Sequence, residues 1–173
     1  MPENEPVLGQ EMEFVPLYFG NKLRIVNPRG RVGILTLWSK IEFVEKTLAD
    51  LNIDLGSQTS KIAVIGNLYG NGIPHLLRNL LYNPHIRHLI ICGANRSGSA
   101  EDIVAFFQNG LEKATSLGDT VTKIKGRSRI IDDLVTPANF AVEPRMMLVE
   151  DLRDNDSRQN LYKYIQSFSP GEP

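Results

Sequence analysis

The chain has 173 residues, 42% of them hydrophobic and 23% charged, with a net charge of −1, a balance that fits one soluble globular domain around one core. The near-neutral charge offers no basic excess to nucleic acid or an anionic membrane, and a single cysteine excludes a disulfide framework or a multi-thiolate metal site. Apolar runs stop at strand length and the N-terminal residues lack a signal-peptide apolar region, so a cytoplasmic protein outside the membrane is expected.

Residues 1–20 are polar and proline-bearing, with Phe14, Leu17, Tyr18 and Phe19 as anchors, and read as an irregular arm. Residues 21–168 read as a single α/β domain and 169–173 as a flexible tail. A short edge strand is expected over 22–26, closed by the turn Asn27-Pro28-Arg29-Gly30. Residues 31–37 form a clear strand, followed by the loop Trp38-Ser39-Lys40 with Ser39 as N-cap. Ile41, Val44, Leu48 and Leu51 recur at helical spacing and predict an amphipathic helix to about Asn52.

The middle of the chain is a strand–loop–helix–strand–loop unit. Residues 61–66 are apolar, β-branched and end on a glycine, as a buried strand does. Asn67-Leu-Tyr69-Gly70-Asn71-Gly72 is a loop free to adopt positive φ. A helix comes after it, with Pro74 in its first turn and Asn83-Pro84 at its end. Residues 87–93 give a second buried strand, then Ala94-Asn95-Arg96-Ser97-Gly98-Ser99 a second loop, with Ser99 and Asp102 spaced as a capping box. The unit predicts a βαβ crossover on parallel strands.

Further along, apolar spacing predicts a helix from about Ala100 to Leu117, weakened at Asn109-Gly110. Next come a short strand over 121–125, a basic loop over 126–129 and a brief helix ending near Pro137. Residues 145–149 read as a last strand, and 156–165 as a closing helix capped by Asp156 or Ser157. Alternating strands and helices predict an α/β fold: three layers, Rossmann-like, with helices on both faces of a mostly parallel sheet.

Residues 24–113 also carry a recognisable pattern. It comprises Asn27-Pro28, Val32, Thr36-Leu37 and Ser39, then Gly72-Ile73 and Asn79. It continues through Asn83-Pro84-His85-Ile86-Arg87-His88-Leu89-Ile90-Ile91-Cys92-Gly93 to Gly98 and Asn109-Gly110. This half of the chain resembles the soluble domain of the A subunit of tetrahydromethanopterin S-methyltransferase. The resemblance implies pterin- or folate-linked one-carbon metabolism and a partner subunit. Members of that family carry a corrinoid whose cobalt is held by a histidine just after the loop glycine. By spacing that position is Ser99, and serine does not replace imidazole, so a cobamide is disfavoured. The cofactor is unknown and no metal is predicted.

Both glycine loops leave strand carboxyl ends, where open α/β sheets hold ligands. Their backbone N–H groups suit a phosphate or carboxylate, although the same loops could be plain βα turns, and neither is a dinucleotide fingerprint or a Walker loop. Candidate contacts are Thr36, Trp38, Ser39, Asn67, Tyr69, Gly70, Asn71, Gly72, Asn95, Arg96, Ser97, Gly98 and Ser99. Arg96 could pair with an anion, and Trp38 could stack on a flat ring or fill the core. Arg127 and Arg129 read as solvated charges, with closure over an anion as the alternative. Asp132-Asp133 are helix neighbours that do not face one site, Cys92 reads as a buried small apolar residue, and His75, His85 and His88 as surface or structural imidazoles. No acid–base pair or nucleophile stands out. The expected function is a small-ligand-binding domain taking an anionic or aromatic molecule, a nucleotide or a pterin, and working with a protein partner or as a homo-oligomer. The alternatives are a small methyltransferase-like enzyme using the same cleft and a protein-interaction scaffold.

Overall fold

Three apolar, β-branched runs form the centre of the molecule. β2 (Val32–Leu35), β3 (Ile62–Gly66) and β4 (His88–Cys92) are buried along nearly their whole length, as strands of a parallel sheet covered on both sides must be. The computed structural model describes residues 12–149 and 151–168, so the expected tail over 169–173 lies outside the described residues. The sheet is completed by β1 (Arg24–Ile25) and β7 (Arg145–Val149), in the order β1-β3-β2-β4-β7. Only β1 runs antiparallel to its neighbour. The βαβ unit is therefore wider than expected: β3 and β4 are both parallel, but β2 lies between them.

Four α-helices accompany the sheet among the described residues: α1 (Ile41–Asp50), α2 (Ile73–Tyr82), α3 (Ser99–Asn109) and α4 (Asn155–Gln166). Buried apolar side chains divide into two clusters. One joins Leu35, Ala63, Leu89 and Ile91 to α2, α3 and the buried Phe14 of the arm. The other joins Val32, Ile34, Ile62, Ile90 and Cys92 to α1 and α4. Alternate residues of β2 and β4 thus enter different clusters, the period-two signature of a pleated strand. In β3 the pairing with β2 slips by one residue after Ile62, and Ala63 and Val64 both pack with the first cluster, as a bulge requires.

The expected helix to Leu117 is shorter. α3 ends at Asn109 because Gly110 takes φ 74° and ψ −157°, far outside helical geometry and accessible to glycine. Beyond it the chain forms a separate hairpin, β5 (Leu111–Ser116) and β6 (Asp119–Ile124), paired antiparallel around Leu117-Gly118. Both turn residues have positive φ, 49° and 84°, the type I′ arrangement that matches strand twist. The brief helix expected before Pro137 is also absent. Ile130 instead bridges Lys123, the Ile131 amide donates to the Thr122 carbonyl at 2.9 Å, and Pro137 opens a 3₁₀ turn, Pro137–Asn139. The last strand falls where expected, and α4 is capped by Asp154, whose carboxylate accepts from the Ser157 amide at 3.0 Å.

The arm over 12–19 is fastened by two asparagines of α2 and its end. Asn79 Oδ1 accepts from the amides of Leu17 and Tyr18 at 2.7 and 3.0 Å, and its Nδ2 donates to the Tyr18 carbonyl at 3.1 Å. Asn83 does the same for Val15 at 2.8 and 2.9 Å. Both side chains are buried and commit their polar groups to the arm backbone, which has no local secondary-structure partner of its own.

Candidate functional site

The connection after β2 leads to β3 on one side, whereas β4 leads through α3 and the hairpin to β7 on the other. Adjacent strands whose connections diverge leave a crevice at their carboxyl ends. Here that crevice is the groove on the β3 side of Trp38–Lys40, bordered by Asn67 and Tyr69; towards Gly93–Gly98 the two loops are bonded directly to each other.

The loop after β2 is sewn to both neighbours. The Thr36 amide donates to the Gly66 carbonyl at 2.8 Å, and the Trp38 amide to the Ala94 carbonyl at 3.1 Å. Leu37 is buried and carries φ 52°, an uncommon conformation for a side chain of its size. The Asn67 amide braces it: Nδ2 lies 3.0 Å from the Thr36 hydroxyl, 3.0 Å from the Leu37 carbonyl and 2.7 Å from the Ser39 carbonyl. Gly93 sits close beneath, where a Cβ would lie 2.3 Å from the Thr36 carbonyl oxygen. With φ 90° as well, that position tolerates no side chain.

Ser39 does not cap α1. Lys40 is the N-cap, without a side-chain bond, and the Ser39 hydroxyl accepts from the Ala94 amide at 2.9 Å. The Ser99–Asp102 capping box does not form either. Gly98, at φ 72°, is the N-cap of α3; Ser99 is fully buried, its hydroxyl 2.8 Å from that of Ser97. Asp102 instead faces two guanidinium groups. Arg127 Nε donates to one carboxylate oxygen at 2.7 Å and Arg129 Nε to the other.

Arg129 is thus neither solvated nor closed over an anion. Its remaining donors reach the Gly70 carbonyl at 2.7 Å and the Ser97 carbonyl at 2.8 Å, so one side chain fixes both glycine loops to the segment that follows the hairpin. The bond from Asp102 holds the Arg127 guanidinium above its ordinary pKa.

Trp38 and Tyr69 form an exposed aromatic pair, ring centres 4.7 Å apart and planes tilted by 32°. Trp38 is 45% exposed, so it does not fill the core, and its indole N–H donates to the Ser97 hydroxyl at 3.2 Å. The pair borders a polar groove of about 700 Å³, together with Lys22, Arg24, Lys40, Glu42 and Asn67. The first residues of α1, whose amides lack intrahelical partners, line it too. Arg24 is drawn to Glu45, 2.8 Å away.

Beneath Asn67–Gly72 lies a second space, a chamber of about 380 Å³ bounded by the arm, β2, β3 and α2. His75 lines it, its ring packed against Tyr18 and Phe19 with centres 5.0 and 4.9 Å away. Its Nδ1 is buried without a hydrogen-bond partner, which is uncommon for a buried polar atom.

Of the residues singled out in the sequence, Trp38, Asn67 and Tyr69 line the crevice, whereas Thr36, Ser39, Gly70, Ser97, Gly98 and Ser99 belong to the bonded loops and do not line it. Asn71 and Gly72 line the chamber instead. Asn95 is turned to the Glu101 carboxylate, at 2.8 and 2.7 Å, and Arg96 is exposed with no partner among the described residues. Asp102, Lys22, Lys40 and the arm were not anticipated as site residues. Cys92 is buried, and desolvation pushes its thiol up to about 12, which leaves no thiolate for nucleophilic chemistry. No group of three His, Cys, Asp or Glu residues comes together among the described residues.

No family model matches the chain. Over 88 residues, half of the chain, it is 33% identical to an A subunit of tetrahydromethanopterin S-methyltransferase from Methanothermobacter marburgensis, and it spans about a third of that relative's length. This supports a distant relationship to a pterin-related methyltransferase subunit. No helix among the described residues is long and apolar enough to cross a membrane.

Proposed function

We propose that the chain is a ligand-binding domain linked to nucleotide or pterin/folate one-carbon metabolism, taking a flat anionic molecule at the crevice and working with a partner subunit in the cytoplasm. The observation that carries this reading is the exposed Trp38–Tyr69 pair beside a groove holding Lys22, Lys40 and the N-terminus of α1. An aromatic face takes a heterocycle, and a helix N-terminus with lysines takes its phosphate or carboxylate. The two apolar clusters support a three-layer Rossmann-like arrangement within residues 21–168; residues 1–11 of the expected arm, like the expected tail, lie outside the described residues. The partner is supported by the relative being a subunit.

Trp38 is the chain's one tryptophan, so its fluorescence reports on the groove. Titration with ATP, GTP, dihydrofolate and tetrahydrofolate should give saturable quenching by one class, weakened by Lys40→Ala. At 100 times its dissociation constant that ligand should stabilise the protein by about 2.7 kcal/mol. No saturable response to any of the four, in a protein that unfolds cooperatively, would overturn the reading.

A further inference from the structure

The chamber under the arm is too large to be a packing fault. Voids larger than a water molecule are few in a protein interior, and an apolar cavity of about 150 Å³ already accepts benzene. This one measures about 380 Å³, within the range of small-molecule sites, about 300–1,000 Å³, and has room for about two such rings.

Its walls are chemically one-sided. Leu35, Leu68, Leu80, Ile86 and Leu89 are buried around it, and Gly33 and Gly66 contribute bare backbone. The exposed lining residues are Phe19, Lys22, Asn67, Tyr69 and Asn71, so the polar groups other than Asn79 and the buried His75 gather at the mouth. Asn79 is already occupied by the arm. Among the described residues, Lys22 is the one formally charged side chain in the lining, and the lining holds no carboxylate. A pterin ring, rich in donors and acceptors, would lose most of its hydrogen bonds inside. An apolar body with an anionic end would not.

We infer that the chamber is a second binding site, which shares Lys22, Asn67 and Tyr69 at its mouth with the crevice, for a small amphipathic acid: a fused-ring or chain-like apolar body within, and a carboxylate or similar anion at Lys22. The chamber's depth supplies burial, and the ammonium at the rim fixes the orientation of the guest.

Calorimetric titration of the full chain with 2-naphthoate, decanoate and the neutral 2-naphthalenemethanol tests this. At least one of the two acids should bind with one-to-one stoichiometry, naphthoate tighter if the body is a ring system, decanoate if it is a chain. The alcohol should bind more weakly than naphthoate in the first case. Lys22→Gln should weaken the favoured acid about fivefold, the scale of a rim ion pair. Leu76→Trp, which fills the chamber from α2, should abolish binding. Lys40→Ala, in the crevice and outside the chamber, should leave it intact; that variant also separates this site from the crevice. Absence of binding by both acids to folded protein would overturn the inference, as would undiminished binding to a folded Leu76→Trp variant. Equal affinity of the Lys22→Gln and unaltered chains would overturn the assignment of an anionic end.

Discussion

A carboxylate with 3% of its side chain exposed stands between two arginines, themselves 36% and 17% exposed. Asp102 gains no stability from burial alone, since charges leave water at a cost that their attraction must offset. Removing the carboxylate charge leaves two guanidinium groups facing a partly dry site. Asp102→Asn should lower the unfolding free energy by about 3–5 kcal/mol in urea titration; a loss under about 1 kcal/mol would reduce the network to the worth of a surface pair. His85 adds a dependence on pH. Burial lowers its pKa below the usual 6.5, outweighing the bond from Nε2 to the Pro28 carbonyl at 3.0 Å. Between the lowered folded value and 6.5 the unfolded chain holds the extra proton. The contribution is therefore full above 6.5 and lost as pH falls through the folded value. The difference in melting temperature between the unaltered protein and His85→Asn should shrink from pH 7 to pH 5, and a constant difference would show that His85 does not titrate with folding.

At the scale of elements, two asparagines fill the role that a strand partner has elsewhere. Asn79 and Asn83 together make five hydrogen bonds to the backbone of Val15, Leu17 and Tyr18. Asn79→Ala should leave far-UV circular dichroism unchanged while speeding chymotryptic cleavage at Tyr18 and Phe19 several-fold; unaltered cleavage would show that Phe14 and Asn83 suffice to hold the arm. Asparagines on a helix give no sequence signal for such a role, because the groups they serve lie 61 to 68 residues away. The hairpin was hidden for a different reason. Its strands, Leu-Glu-Lys-Ala-Thr-Ser and Asp-Thr-Val-Thr-Lys-Ile, hold few large apolar residues, and its turn carries Leu117 where asparagine is usual. Helical spacing through Leu111 then reads as a longer α3.

For the whole molecule, the buried strands were legible because β2, β3 and β4 are continuous apolar runs, and the amphipathic α1 and α2 because their spacing is helical. Their order was not. Parallel strands buried on both faces look alike in sequence, so nothing in residues 61–93 reveals that β2 intervenes. The same holds for the crevice: the glycine loops were visible, while Asp102 and the arginines that pin them were visible only as a cap and as surface charge. Composition could not disclose the chamber, since its walls come from the arm, two strands and one helix.

The arm's fastening has a kinetic consequence. Contacts spanning 61 to 68 residues close slowly, since loop entropy opposes them until the intervening chain is ordered. The arm should therefore dock after α2 and the sheet have assembled, and the amides of Val15, Leu17 and Tyr18 should exchange with solvent sooner than those of β2–β4.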